Sequence, residues 1–124
     1  MNKLKINLFE REFSLDVYYD NYGDEEVTEV QKAAFEQFKT IDFNSDKLLN
    51  EVKKYCLKRD KDEIEEPITN IFKYVIPQTV YVVKNDEKRI VALLCNYRFD
   101  PEHGIAIVFE NEKLANIGMQ DCIL

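Results

Sequence analysis

Two hydrophobic periods divide the chain into a hairpin, a helical middle part and a final set of strands. Near the start, apolar residues alternate with polar ones, which is typical of half-buried strands. The alternating apolar positions are Leu4, Ile6 and Leu8, and then Phe13, Leu15 and Val17. The short polar stretch Glu10–Glu12 between them predicts a hairpin connection, so we expect an antiparallel hairpin with one apolar face.

The period then lengthens to three and four residues, which indicates an amphipathic helix. This stripe consists of Val27, Val30, Ala34, Phe38 and Ile41. Thr28 and Gln31 have the spacing of a capping box. We expect the polar positions to face mostly solvent, namely Gln31, Lys32, Glu36 and Lys39. A second helix is predicted after Asn44 or Ser45 as cap, with an apolar face formed by Leu48, Leu49, Val52, Tyr55 and Cys56.

The last part of the chain is predicted to be mostly β-structure. The segment 68–76 reads as a short helix or a buried link ended by Pro77, and strands are predicted at 80–83, 90–95 and 105–109. Because 90–95 is continuously apolar, that strand is expected to be central and covered on both faces. Since these strands do not alternate with helices, we predict one α+β domain over 1–124, with an N-terminal β-hairpin, a two-helix hairpin and a C-terminal antiparallel β-meander packed on the helices.

A sharp corner separates the apolar strand at 90–95 from the one at 105–109. Asp100 precedes Pro101 and can accept hydrogen bonds from the amides of the turn, and Gly104 suits a positive φ or a G1 bulge. The single histidine, His103, lies in the same turn. The corner therefore presents Asp100, Glu102 and His103 together at one end of the sheet.

Three roles for this corner stay open. In the first, Asp100 caps the turn and His103 bonds a carbonyl or carboxylate. In the second, the corner is a recognition surface. In the third, Asp100, Glu102, His103 and Asp121 form a divalent-metal, small-molecule or acid–base site, although a lone histidine without metal-binding spacing does not support zinc.

Two other stretches are candidates for binding a protein partner. The first is an aromatic group at the end of the hairpin, formed by Tyr18, Tyr19 and Tyr22, since tyrosines are common interface anchors. The second lies in the charged segment 58–66, which ends at Pro67. Its acidic residues are Asp60, Asp62, Glu63, Glu65 and Glu66. Packing of the tyrosines and simple solvation of the charged segment are the alternatives.

Composition narrows the class of function. The net charge of −7 disfavours binding to nucleic acid or to an anionic membrane and permits a basic partner. Residues 1–7 lack the apolar core of a signal peptide, and Cys56, Cys95 and Cys122 are read as reduced core residues of a cytoplasmic protein. There is no phosphate loop, serine elbow or Cys/His nucleophile pattern, so we expect no enzyme activity and no cofactor.

Three segments together resemble a small bacterial family of unknown function. Residues 27–38 are similar to its V-T-x-x-Q-x-x-A-[YF]-x-x-F helix, and 98–107 are similar to its W-D-x-E-H-G-[IL]-[GA]-[IV] motif. Residues 117–121 are similar to its I-G-x-x-D ending. Phe99 departs from this pattern where tryptophan is expected, which removes an indole donor but should leave the corner packed.

The resemblance implies a non-catalytic binder. Members of that family look like candidate immunity proteins for polymorphic toxins, so the expected partner is a cognate toxin domain, and a basic nuclease would suit the acidic chain. The alternative is a small-molecule or divalent-metal-binding domain with its site at Asp100–His103. A pocket with converging carboxylates would favour the alternative, and a flat acidic surface with exposed tyrosines would favour the binder.

Overall fold

A computed structural model describes residues 3–21 and 26–124. Its helices are α1 (Glu29–Phe38) and α2 (Asp46–Asp60), with 3₁₀ turns at Ile71–Lys73 and Gln120–Cys122. The strands are β1 (Lys3–Leu8), β2 (Arg11–Tyr19), β3 (Val75–Val82), β4 (Ile90–Tyr97), β5 (Ile105–Glu110) and β6 (Lys113–Gly118). They form one six-stranded sheet in the order β1 to β6. The α+β prediction, with its hairpin, two helices and final meander, is confirmed.

The N-terminal hairpin turns earlier than the polar pattern predicts. Phe9 and Glu10 form its two-residue turn, both with positive φ (50° and 67°), and Arg11 already belongs to β2. The two backbone amides of the turn donate to the link between the helices, Phe9 N–H to the Phe43 carbonyl (3.2 Å) and Glu10 N–H to Asn44 Oδ1 (2.7 Å). These contacts lie outside the hairpin itself, which is why hydrophobic alternation misplaced the connection.

The capping box predicted at the start of α1 is present. The Thr28 side chain accepts from the Gln31 backbone N–H (3.1 Å), and Gln31 Oε1 accepts from the Thr28 N–H (3.0 Å). The expectation that Gln31 faces solvent is wrong, because its exposed fraction is 0%. Its amide nitrogen also donates to the carbonyls of Asp20 (3.2 Å) and Val82 (3.3 Å), so this side chain joins α1 to the residue that follows β2 and to the end of β3.

The hairpin joins the meander through one parallel pair. Residues 16–19 of β2 pair in parallel with 79–82 of β3, and every other strand pair is antiparallel. Pro77 does not end a preceding segment but lies inside β3, which begins at Val75. It sits at a register shift against β4 and beyond the residues paired with β2, where its missing N–H breaks no bond on that side.

Both helices pack on one face of the sheet, as expected. The main core combines residues such as Phe38 and Val52 from the helices with Leu93 and Ile107 from the central strands. The opposite face carries a smaller cluster around Tyr81, Ala92 and Ala106, and β4 is buried on both sides, as predicted for a central strand. Among the described residues, neither helix combines the length and the apolar character that a membrane crossing needs.

The cysteines divide into two kinds. Cys56 and Cys95 are fully buried, and all three thiols are free. Burial is the main reason that the pKa of Cys56 rises to about 11 and that the pKa of Cys95 rises as well. Cys122 is exposed in the last 3₁₀ turn, so the expectation of three core cysteines is wrong for this residue.

Candidate functional site

Asp100 organises the corner between β4 and β5. Its Oδ1 accepts from the backbone N–H of His103 (3.2 Å), and its backbone carbonyl accepts from the Gly104 N–H (2.9 Å). The turn is therefore closed over five residues, and the register of β4 with β5 runs without a shift. The expected capping by Asp100 is present, whereas the β4–β5 pairing shows no G1 bulge.

Gly104 is required by both conformation and space. Its φ is +57°, a region that residues with a Cβ adopt with difficulty. A Cβ built there would lie 2.5 Å from the Cys95 carbonyl oxygen and 2.6 Å from Gln120 Nε2. Gln120 itself donates to the Cys95 carbonyl (3.1 Å) and, through its backbone, to the His103 carbonyl (3.0 Å). The C-terminal turn thus fits against the corner because residue 104 has no side chain.

Arg59, near the end of α2, ties the helix to the corner. Its guanidinium donates to Asp100 Oδ2 and to the Tyr55 hydroxyl (3.3 Å), and it lies over the Tyr97 ring at 5.2 Å. No sequence pattern indicated this role, because Arg59 and Asp100 are 41 positions apart. The sequence showed only that Arg59 is a basic residue near the end of a predicted helix, and this does not indicate which residue it pairs with.

His103 lies between two carboxylates. Its Nδ1 is 3.0 Å from Asp100 Oδ1, and its Nε2 is 4.0 Å from Asp121 Oδ2. The hydrogen bond and charge of Asp100 raise the pKa of His103, with smaller contributions from Asp121 and Glu102. Loss of solvent on its own would raise the pKa of Asp100, but the bonds from Arg59 and His103 outweigh it and lower that pKa.

Three of the four residues of the proposed metal or small-molecule site are therefore close together. Asp100, His103 and Asp121 meet at the corner, whereas the exposed Glu102 acts on His103 through its charge and forms no hydrogen bond with a described residue. Asp100 uses both carboxylate oxygens on internal donors. Within 3–21 and 26–124, no three acidic, histidine or cysteine side chains have a metal-binding arrangement. This geometry favours the first of the three roles, an internally paired turn.

Phe99, the departure from the expected tryptophan, keeps the corner packed. Its ring stacks on Tyr74 at 5.7 Å between centroids and meets Tyr97 edge-on at 5.7 Å. Tyr97 is buried, and its hydroxyl donates to Asp60 Oδ2 (2.6 Å). Burial, followed by this bond, raises the pKa of Tyr97 strongly. Aromatic stacking therefore supports the corner from the core side.

The charged segment 58–66 has two parts. Asp60 still belongs to the helix and is turned inward towards Tyr97 and Arg59. The remaining acidic candidates, Asp62, Glu63, Glu65 and Glu66, are exposed, and none of them pairs with a cation among the described residues. Ile64, in their midst, is buried and belongs to the main core. We call residues 61–66 the acidic segment.

The tyrosines do not form one surface. Tyr18 is 57% exposed and stacks on Tyr81 on the face without helices, with ring centroids 5.6 Å apart. Tyr19 points to the opposite face, as the next residue of a strand must, and meets Phe35 of α1. Tyr22 lies outside the described residues. Of the two described tyrosines in this candidate group, Tyr18 is thus the more accessible to a partner, while Tyr19 is half-buried.

A groove that the sequence did not indicate runs between α2 and β6. Its volume is about 930 Å³. Its floor is apolar, with Ile41, Leu48, Phe109, Leu114 and Ile117. Four lysines line it as well, Lys47, Lys54 and Lys58 from α2 and Lys113 from β6. None of the corner residues lines this groove.

These features define a two-layer α+β domain with an internally paired corner, an exposed acidic segment and a groove at the sheet edge. The chain belongs to a family described as a domain of unknown function, DUF6985, which it matches over residues 1–124. No curated protein and no solved structure matches it.

Proposed function

We propose that this protein is a non-catalytic interaction protein, an immunity protein that binds and neutralises a cognate toxin domain through the acidic segment. The observation that supports this proposal is that the carboxylates of the acidic segment are exposed and have no internal ion pairs. Asp62, Glu63, Glu65 and Glu66 are exposed and unpaired among the described residues, while buried Ile64 holds the segment to the core. A basic partner can therefore pair with them without breaking an internal ion pair.

The net charge of the whole chain also favours a basic partner. A net charge of −7 attracts a basic domain over long range and speeds encounter, and local carboxylates then set the orientation. The placement of Ile64 reduces the conformational entropy lost on binding, since the segment is already held at its centre. A basic nuclease domain is the partner that this reasoning favours.

The first experiment is capture of partners from the native host at low salt, identified by mass spectrometry. A matched pair of variants controls it: Glu65→Gln with Glu66→Gln removes two carboxylates of the acidic segment, and Asp86→Asn with Glu87→Gln removes two from the β3–β4 loop. We expect one basic toxin domain to be captured by the wild type and by the loop variant, with much weaker capture by the segment variant.

Growth of a susceptible host then tests neutralisation. Expression of the captured domain should stop growth, and co-expression of the wild type or the loop variant should restore it. The segment variant should restore growth poorly at equal protein level. The proposal fails if no toxin domain is captured, or if both variants protect equally.

A further inference from the structure

The groove between α2 and β6 joins an apolar floor to a basic rim in a chain that is acidic overall. Leu48, Phe109 and Leu114 supply apolar surface, and Lys47, Lys54, Lys58 and Lys113 stand around it. None of these four lysines forms an ion pair with a described residue. The four lysines outnumber the three acidic residues of the groove. Glu112 is held by Arg89 (2.8 and 2.9 Å), Asp42 accepts from the Asn44 N–H (3.0 Å), and Glu51 forms no ion pair with a described residue.

From this pairing of surfaces we propose that the groove binds an extended acidic segment of a partner protein, with apolar side chains on the floor and carboxylates at the lysines. This inference goes beyond the proposed function, because it concerns a different surface and the opposite partner charge.

The dimensions suit an extended peptide. The 15 residues of α2 span about 22 Å and the six residues of β6 span about 20 Å, which is the length of about six extended residues. β6 is the last strand of the sheet, so the backbone groups along its outer edge are not used by another described strand. An edge of this kind can receive an added strand.

Two features of β6 make indiscriminate strand addition unfavourable. Lys113 places a charge at its start, and the pairing with β5 shifts register between Val108 and Phe109, which leaves Ala115 as an extra residue. The shift keeps Leu114 and Ile117 on the floor side, opposite Phe109 and Ile107. A segment that carries carboxylates offsets the lysine charge, whereas a second copy of β6 would bring a second Lys113 close to the same lysines.

Charge also argues against a nucleic acid in the groove. A long polyanion would extend beyond the lysines and meet a chain of net charge −7, whereas a short acidic peptide can remain within the basic rim. A phosphate backbone also carries no apolar side chains that could pack on the apolar floor of the groove. An acidic peptide with apolar side chains matches both parts of the groove.

The test is selection of short random peptides displayed on phage against the full chain at low salt, followed by fluorescence polarisation with the enriched peptides. Two variant pairs have matched chemistry. The first pair changes charge. Lys54→Glu with Lys113→Glu reverses one charge on each wall of the groove, and its control, Lys61→Glu with Lys88→Glu, reverses two exposed lysines elsewhere.

The second pair changes volume. Ala115→Trp fills the groove from an exposed position, and its control, Ala33→Trp, adds the same ring on the exposed side of α1.

We expect enriched peptides to combine acidic and apolar residues, and their affinity to fall about tenfold or more in both groove variants and little in both controls. Thermal unfolding should be alike within each pair, which separates loss of binding from loss of fold. The proposal is overturned if no peptide is enriched, if the enriched peptides are not acidic, or if the groove and control variants bind equally.

Two further results would name a different occupant and would also overturn it. Self-association in sedimentation experiments that Ala115→Trp abolishes would assign the groove to a second copy. Binding of a short single-stranded oligonucleotide, lost in the groove charge variant, would assign it to nucleic acid.

Discussion

The corner and the acidic segment carry similar side chains and use them in opposite ways. At the corner, the Asp100 carboxylate is surrounded by donors from Arg59 and His103. In the acidic segment, the carboxylates of Glu65 and Glu66 have no cation among the described residues. A carboxylate with internal donors contributes to the fold, and one without them is available to a partner. The chemistry of a side chain therefore says less about its role than the partners the fold provides.

The largest expected effect tests the corner as a structural unit. Gly104→Ala would force a Cβ to 2.5 Å from the Cys95 carbonyl oxygen at a φ of +57°. We expect a loss of about 3 kcal/mol or more in the free energy of unfolding, measured in urea. Gly118→Ala is the control, because its Cβ would meet Cys122 Sγ at an ordinary 3.5 Å. Equal losses in both variants would contradict the demand for glycine at the corner.

The next effect concerns the link between α2 and the corner. Arg59→Ala removes the donor to Asp100 and the cation over the Tyr97 ring. We expect the Tm to fall by about 5 °C relative to Lys58→Ala, because Lys58 is a neighbouring exposed residue that forms no ion pair with a described residue. If the two variants melt together, Arg59 does not support the corner.

A smaller effect should appear in the pH dependence of stability. Because Asp100 raises the pKa of His103 above its ordinary 6.5, the protonated ring stabilises the folded state. This contribution is fully present below the unfolded pKa and is lost as pH rises through the higher folded pKa. We expect the stability advantage of the wild type over His103→Gln to shrink as pH increases above 6.5.

Nuclear magnetic resonance measures the same quantity directly. The ring protons of His103 should titrate with a pKa above 6.5, and Asp100→Asn should bring the pKa down further than Asp121→Asn does. A wild-type value at or below 6.5 would show that the Asp100 bond does not hold the protonated ring.

The smallest expected effect belongs to the acidic segment. Glu65→Gln with Glu66→Gln should leave the free energy of unfolding within about 0.5 kcal/mol of the wild type, since exposed and unpaired side chains contribute little to stability. Chemical denaturation checks this. A large loss would mean that these carboxylates serve the fold, and the contrast with the corner would disappear.

Local patterns predicted much of the fold. The capping box of Thr28 and Gln31, the two helices and the buried strand at 90–95 all follow from spacings within a few residues. The corner was also recognisable, because Asp-Pro followed by glycine is a local turn signal. The parallel pairing of β2 with β3 was not, since it joins strands on either side of both helices.

The candidate site was predicted less completely. Asp100, His103 and Asp121 were grouped correctly, but Arg59 was not included, and the groove between α2 and β6 was not indicated. Both require knowledge of which elements become neighbours. The turn at Phe9 and Glu10 was misplaced for the same reason, because its amides bond to Phe43 and Asn44 of a distant link.

The sequence by itself determined the elements of this protein, their caps and the corner, because hydrophobic period, capping and turn chemistry act over a few neighbouring residues. The tertiary structure decided which polar groups are hydrogen-bonded or ion-paired within the fold and which remain available to a partner. Gln31 is buried because carbonyls of Asp20 and Val82 reach its amide, and Asp100 is paired because α2 brings Arg59 to it. The lysines of the groove form no ion pair with a described residue, so they too remain available to a partner.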